Sequence, residues 1–216
     1  MQKTLNFLDW GICDYGWALQ AQRTIWQKRI EDKIPDTLIL TEHFPVFTIG
    51  KHGKITNLLV SEKELKSKNV KLYQIERGGD ITFHGPGQLV GYPIIKFIPP
   101  FLSVRKFING LHHIIINALS AFNITATAKE SLVGVWVDGK KIASIGIAIS
   151  KHVSLHGFAL NVSTDLSYFN LINPCGMTNI NMTSMQDILN CQIEMEEVKS
   201  VIKIQFNKMH ETLKDN

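Results

Sequence analysis

Apolar side chains recur at intervals of three and four residues in three long segments of the chain, the spacing that places them on one face of an α-helix. These segments predict helices over residues 14–32, 103–122 and 193–213. Asp14 and Ser103 begin the first two and are residue types that cap helix N-termini. Ser61 is followed three residues later by Glu64, the spacing of a capping box, which predicts a shorter helix over residues 61–67.

Between these helices, short apolar runs bounded by turn-forming residues predict strands. The predicted strands cover residues 5–10, 36–42, 46–49, 70–75, 81–84, 88–97, 125–128, 134–138, 141–150 and 153–162. Pro45 separates two of them. Asp138 and Gly139 form the strongest hairpin signal, because a type I′ turn needs positive φ at both central residues.

This turn also predicts which side chains of the following strand share a face. Side chains alternate along a strand, so Lys141 is expected on the face of Ala143 and Ile145, and Lys140 on the other face. An ammonium group held against an apolar face is desolvated, which lowers its pKa and makes it available as a base. Alternatively, Lys141 only extends along the surface to solvent at the start of its strand.

The stretch RGGDITFHGPGQLVGYP, residues 77–93, places five glycines and two prolines between two apolar segments. The successive N–H groups of Gly78 and Gly79 are suited to hold an anion or a polarised carbonyl oxygen. The glycine spacing matches neither the dinucleotide fingerprint nor a nucleotide-binding loop. A tight loop with a β-bulge is the alternative interpretation. Because Arg77 and His84 lie in the same stretch, we favour a ligand site.

Three cysteines, Cys13, Cys175 and Cys191, are too few and too scattered for a disulfide framework or a metal site. Cys13 and Cys191 are expected to be small buried apolar side chains. Cys175 lies between Pro174 and Gly176. A turn of this composition leaves the sulfur uncrowded, as an exposed nucleophile requires.

Composition narrows the class of protein. With 216 residues, of which 44% are hydrophobic, the chain is expected to form one domain over residues 1–216 with a sizeable core. The net charge of +4 is small, and the sequence contains no block of basic residues, so we expect no nucleic-acid binding. Because no stretch approaches the ~20 apolar residues of a membrane span, we expect no membrane association and a cytoplasmic protein.

Several tryptophans and histidines are interpreted as structural. His43 and His52, in particular, have no partner at metal-ligand spacing. These expectations place Trp17 and Trp26 in the core, His43 and His52 in loops, and His112 and His113 on the surface. The last two are adjacent on a predicted helix and therefore about 100° apart, which suits neither a shared metal nor a catalytic pair.

Four blocks of the sequence, in this order and spacing, resemble the lipoyl(octanoyl) transferases. The blocks are RGGDITFHGPGQLVGYPI, GVWVDGKKIASIG, LHGFALNV and INPCGM, at residues 77–94, 134–146, 155–162 and 172–177. The resemblance implies an α+β fold of the biotin/lipoate protein ligase type, with a mixed sheet flanked by helices. It also implies transfer of an octanoyl group from octanoyl-acyl carrier protein to a lysine of lipoyl domains, with no cofactor. The acceptors would be 2-oxo acid dehydrogenases and the glycine cleavage H protein.

The resemblance further implies that Cys175 is the acyl-accepting nucleophile and Lys141 its partner, with no metal. By the same resemblance, the substrate-binding positions would be Arg77, Gly78, Gly79, Asp80, Ile81, Thr82, Phe83, His84, Ser144, Ile145, Gly146, Gly157, Phe158 and Ala159. Asp80 and Phe83 stand where the family also uses glutamine and tyrosine.

A mechanistic hypothesis follows. A thiol of pKa ~8.5 is only a few per cent thiolate at neutral pH, so a neighbouring lysine that takes its proton increases the reactive fraction. Backbone N–H groups around Gly78 and Gly79 are candidate donors to the oxyanion. Small residues would leave room for an apolar acyl slot; the candidates are Ala143, Gly146, Gly157 and Ala159. His84 and His156 either orient the thioester or are structural.

Two other functions stay open. An ATP-dependent lipoate or biotin ligase would need an acyl-adenylate site and a lysine, but no cysteine nucleophile. A non-catalytic module that binds carrier protein would need neither Lys141 nor Cys175.

Overall fold

The computed structural model describes residues 5–97, 103–129, 132–173 and 180–212. Its strands are β1 (Asn6–Cys13), β2 (Thr37–His43), β3 (Val46–Ile49), β4 (Lys71–Gln74), β5 (Ile81–His84), β6 (Gln88–Ile94), β7 (Thr127–Lys129), β8 (Leu132–Val137), β9 (Lys140–Ser150) and β10 (Val153–Asn161). Its helices are α1 (Tyr15–Ile30), α2 (Glu62–Ser67), α3 (Val104–Ala121), α4 (Met185–Leu189) and α5 (Met195–Thr212), with 3-10 turns at Ile55–Asn57 and Leu166–Leu171.

Seven strands form the larger sheet, in the order β1-β2-β6-β10-β9-β8-β7. The β1–β2 pair is parallel and the other pairs are antiparallel. Both faces are covered. Leu38 and Leu40 pack with α3 and α5, whereas Ile39 between them packs on the side of α1. This burial on both faces explains why β2 is apolar without alternation. The expected α+β fold, a mixed sheet flanked by helices, is confirmed.

The smaller sheet has the order β4-β3-β5, with β3 parallel to β4 and antiparallel to β5. It has its own core, in which Phe47 and Phe83 pack with Leu65 of α2 and with Phe169. The chain enters this sheet from β2 and leaves it through β5 to β6, so residues 77–84 lie where the two sheets meet in sequence. This connection brings the glycine-rich stretch next to the larger sheet.

The predicted helix starts are confirmed. The Asp14 side chain accepts a hydrogen bond from the Trp17 N–H, and Ser103 caps α3 in the same way. Ser61 and Glu64 form the complete capping box of α2. These starts were predictable because a cap depends only on residues within one turn of the helix.

The predicted hairpin between β8 and β9 is also confirmed. Asp138 and Gly139 have φ values of 47° and 78°, as a type I′ turn requires. Lys140 is exposed and Lys141 is 4% exposed, so the expectation that Lys141 is the buried member of the pair is correct.

That expectation was based on regular alternation of side chains along β9, and this assumption is wrong. Val135 pairs with Ala143 and Trp136 pairs with Lys141, which leaves Ile142 as an extra residue in β9. A bulge of this kind interrupts alternation. Ile142 and Ala143, although consecutive, therefore both pack into the core under α3 and α5. Cross-strand partners point to the same side, so Lys141 lies on the side of Trp136 and not on that of Ala143.

Several expectations about single side chains are wrong. His43 is not in a loop: it is the last residue of β2 and fully buried, with Nε2 2.7 Å from the Tyr92 hydroxyl oxygen. Trp17 is 52% exposed and makes an edge-to-face contact with Trp10 instead of entering the core. Cys191 is exposed because it follows the C-terminal end of α4. His52 and His113 are exposed, as expected.

Within the part of the chain that the structure describes, no helix combines the length and apolar character needed to cross a membrane. Over the same residues, no three His, Cys, Asp or Glu side chains are grouped closely enough to hold a metal ion.

Candidate active site

One cavity of about 520 Å³ with mainly apolar walls is lined by residues of both sheets. The site residues expected from the sequence that line it are Arg77, Gly78, Gly79, Asp80, Ile81, Thr82, His84, Lys141, Ser144, Ile145, Gly146, Gly157, Phe158 and Ala159. These residues come from three separate sequence blocks. A volume of this size lies in the usual range for small-molecule sites.

Two candidates, Phe83 and Ala143, are not among the residues lining the cavity. Phe83 alternates with its neighbours along β5 and points into the core of the smaller sheet, where it stacks on Tyr168 with ring centroids 4.4 Å apart. Ala143 packs into the core under α3 and α5. Cys175 lies outside the described residues.

Several lining residues were not expected from the sequence. They are Tyr15, Val90, Tyr92, Val104, Ile108, Val133, Ile147, Phe169 and Met182. Most of them are apolar residues of predicted helices and strands, where lining a cavity and packing in a core give the same pattern. Tyr15 and Tyr92 could have been noted as candidates from the sequence, because a tyrosine hydroxyl that becomes buried requires a polar partner.

Lys141 is fixed by its own backbone. Its N–H donates to the Asn181 carbonyl oxygen at 2.8 Å, and its carbonyl oxygen accepts from the Thr183 N–H at 3.0 Å. Between those residues, Met182 pairs with Lys141 in an isolated parallel bridge. The side chain is buried, with Nζ 5.7 Å from the centroid of the Trp136 ring. The segment that follows residues 174–179 is thus attached directly to Lys141.

Gly134 gives the Lys141 side chain its space. A Cβ at Gly134 would come within 2.6 Å of Lys141 Cε, and the φ of 143° at this position disfavours any other residue. The Gly134 N–H donates to His112 Nε2 at 3.2 Å. His112 is therefore buried and not on the surface as expected, and burial lowers its pKa, which keeps the ring nitrogen able to accept this bond.

The Arg77 loop lies against β9 at Gly146. A Cβ there would approach the Gly78 carbonyl oxygen to 2.9 Å and Arg77 Cδ to 3.1 Å, so glycine allows the close contact. The Gly78 N–H donates to the Ile147 carbonyl oxygen at 2.9 Å. It is therefore not available as the oxyanion donor expected from the sequence, because docking of the loop on β9 already uses it.

Asp80 holds the loop to the preceding turn. One carboxylate oxygen accepts from the Ile81 N–H at 2.7 Å and from the Lys54 N–H at 3.3 Å. The other accepts from Asn57 Nδ2 at 2.5 Å. Although Asp80 lines the cavity, its oxygens bond to the protein itself, and the side chain serves to shape the wall.

His84 and His156 both line the cavity and are buried. Burial lowers the pKa of His84 to about 3, and burial likewise lowers the pKa of His156. His84 is thus a neutral hydrogen-bonding group at physiological pH. His156 Nε2 lies 3.7 Å from Glu76 Oε2, too far for a hydrogen bond.

Comparison with known proteins identifies relatives that match nearly the whole chain. The sequence model of one protein family, the lipoyl protein ligase A/B catalytic domain, matches residues 14–207. The octanoyltransferase of Alkaliphilus metalliredigens is 42% identical over 206 residues, covering 95% of this chain and 94% of the relative. The octanoyltransferase of Koribacter versatilis is 43% identical, with 94% and 82% covered.

Among solved structures, P. falciparum LipL1 in complex with lipoate superposes with a TM-score of 0.77 at 18% identity, covering 99% of this chain and 64% of that one. A lipoate-protein ligase A bound with ATP gives a TM-score of 0.74 at 16% identity, with 97% and 85% covered. These two matches show the fold alone. On the sequence matches, the chain belongs to the octanoyltransferases, within the family defined by the lipoyl protein ligase A/B catalytic domain.

Proposed function

We propose that this octanoyltransferase moves an octanoyl group from the thioester of acyl carrier protein to a lysine of a lipoyl domain, through a thioester on Cys175. The observation that carries the proposal is the apolar cavity, which has Lys141 in its wall. The described residues on either side of residues 174–179, Phe169 and Met182, line the same cavity. In sequence, Cys175 lies between these two residues of the cavity wall.

The first half-reaction forms the acyl-enzyme. Lys141 Nζ, in its uncharged form, takes the proton of the Cys175 thiol, and the thiolate attacks the thioester carbonyl carbon. The new C–S bond forms as the bond to the carrier's sulfur breaks, and the leaving thiolate takes the proton back from Lys141. Burial disfavours the charged form of an amine, so a 4% exposed lysine suits this role.

The second half-reaction releases the group as an amide. The uncharged lysine amine of the acceptor attacks the Cys175 thioester, the Cys175 thiolate leaves, and the excess proton of the amine passes to that thiolate by way of Lys141. A thioester is a higher-energy acyl donor than an amide, so the cycle proceeds without ATP.

Two protein partners are required in turn. The donor is octanoyl-acyl carrier protein, and the acceptors are lipoyl domains of 2-oxo acid dehydrogenases and the glycine cleavage H protein. A net charge of +4 suits acidic partners. The apolar wall suits the acyl chain, since each buried CH₂ contributes about 0.8 kcal/mol.

The test is intact mass spectrometry after incubation with octanoyl-acyl carrier protein in the absence of ATP. We expect one octanoyl adduct, sensitive to hydroxylamine and mapped to Cys175. Cys175→Ser should lose the transferable adduct, whereas Cys191→Ser, at an exposed cysteine, should keep it. Normal turnover by Cys175→Ser would show that Cys175 is not the nucleophile. A requirement for ATP would show that the enzyme acts as an ATP-dependent ligase instead.

A further inference from the structure

A row of buried polar side chains runs beside the cavity. Thr48, Gln88 and Asn161 are at most 1% exposed, and none of them lines the cavity. Together with His84 they form one continuous set of hydrogen bonds between elements of both sheets. Buried polar groups are costly unless they are paired, so such a set indicates a definite role.

The donor and the acceptor of each hydrogen bond in this row can be assigned by starting at Asn161. Asn161 Nδ2 lies 3.0 Å from the Thr183 carbonyl oxygen, which can only accept. The other side of that amide, Asn161 Oδ1, then accepts from Gln88 Nε2 at 2.9 Å. Gln88 Oε1 is left to accept from His84 Nδ1 at 2.7 Å. The proton of His84 is therefore on Nδ1.

The rest of the row follows from a neutral His84. Burial lowers the pKa of His84 to about 3, so its Nε2 carries a lone pair. The Thr48 hydroxyl, 3.4 Å away, donates to that nitrogen. The Thr48 hydroxyl oxygen in turn accepts from Arg77 Nη2 at 2.9 Å, and the Thr48 carbonyl oxygen accepts from the same nitrogen at 2.6 Å. All five hydrogen bonds of the row run in the same donor-to-acceptor direction, from the Arg77 guanidinium to the Thr183 carbonyl oxygen.

Both ends of the row reach the walls of the cavity. Arg77 lines it on the side of the glycine-rich loop. Thr183 donates its N–H to the carbonyl oxygen of Lys141 at 3.0 Å. The row therefore connects the glycine-rich loop in one wall of the cavity to the residue proposed to act on the thiol, which are far apart in sequence.

We propose that Thr48, Gln88 and Asn161 are positioning residues, which hold Arg77 and the Lys141 backbone in fixed relation across the cavity during acyl transfer. This inference rests on the proposed function. Because reacting groups must be aligned closely, a small displacement of one wall lowers the rate of the chemical step more than it changes binding of the partner proteins.

Thr48→Val tests the row with little change in shape, because valine replaces the hydroxyl by a methyl group. Thr48→Ser keeps the hydroxyl. Thr41→Val is the matched control: Thr41 is equally buried, in strand β2 of the larger sheet, and its hydroxyl donates to the Gly11 carbonyl oxygen outside the row. The measurements are kcat and KM for octanoyl transfer to a lipoyl domain, with thermal unfolding of each variant.

We expect Thr48→Val to lower kcat by about 10- to 100-fold with little change in KM. Thr41→Val should lose similar thermal stability and keep its kcat, and Thr48→Ser should recover most of the rate. If Thr48→Val does not fold, Gln88→Met removes the central link and is measured in the same way.

A kcat for Thr48→Val equal to that of Thr41→Val would overturn the positioning role, as would failure of Thr48→Ser to restore the rate. Failure of the proposed function has a different signature. In that case the unaltered protein would form no octanoyl adduct, whereas loss of the positioning role alone leaves its adduct and turnover intact.

Discussion

Replacing Asp36 with asparagine should cost about 2 kcal/mol of unfolding free energy at neutral pH and almost none near pH 2. Asp36 is buried where β2 begins. One carboxylate oxygen accepts from Arg29 Nε at 2.8 Å and from the Lys96 N–H at 3.0 Å, and the other from His210 Nε2 at 2.9 Å. The carboxylate therefore connects β2 to α1 and to the C-terminal end of α5.

The magnitude follows from the pKa. Burial by itself raises the pKa of Asp36, but the hydrogen bonds from His210 and Arg29 outweigh it and lower the pKa from 3.8 to about 2. At roughly 1.4 kcal/mol per pKa unit, that difference corresponds to about 2 kcal/mol in favour of the ionised form. Asparagine resembles the protonated carboxyl group, so the variant lacks this contribution at every pH.

The sign of the pH dependence is that of a lowered carboxyl pKa. The stabilisation is complete above the unfolded-state pKa of 3.8 and is lost as pH falls through about 2. The difference between the parent protein and Asp36→Asn should be about 2 kcal/mol at pH 6, about 1 kcal/mol at pH 3 and close to zero at pH 2.

The assay is urea unfolding of both proteins across this range, followed by tryptophan fluorescence. Asp32→Asn is the control, since Asp32 also contacts Arg29 but its side chain is 64% exposed. An exposed pair contributes about 0–1 kcal/mol, so this variant should change little. A constant difference between the parent and Asp36→Asn from pH 6 to pH 2 would refute the reasoning.

Gly134→Ala should slow octanoyl transfer, because the new Cβ would come within 2.6 Å of Lys141 Cε and of the Ala143 carbonyl oxygen. Gly139→Ala also places a side chain at positive φ, but a Cβ there meets nothing within 4 Å, so this control lacks the steric contact. Equal transfer rates for the two would contradict the role of Gly134. Ser61→Ala should cost about 1 kcal/mol in urea unfolding through loss of the capping box with Glu64, with the transfer rate unchanged.

Local features of the fold could be predicted from the sequence. Helix starts at Asp14, Ser61 and Ser103 and the Asp138-Gly139 turn depend on interactions within a few residues, and all of them are confirmed. Most of the candidate site was also predictable, because its residues come from short, unusual blocks. Assignment of chemical roles to Cys175 and Lys141 stays a proposal.

What the sequence could not supply depends on distant partners. His43 is buried because the hydroxyl of Tyr92, from a strand far along the chain, satisfies its ring nitrogen. The extra residue at Ile142 results from the register of β9 against β8, which changes the face of Lys141. The Gly78 N–H is used by Ile147 of β9. Each outcome is set by pairing between strands and not by the local pattern of side chains.

The core of the smaller sheet has a consequence for synthesis on the ribosome. Phe47, Leu65 and Phe83 belong to the first half of the chain, but Phe169, which completes their packing, comes much later. Contacts of such large sequence separation form slowly, since a long loop must close before they contribute. A nascent chain therefore exposes this apolar surface until about four fifths of the protein has been translated, and that interval is when it is most prone to aggregate.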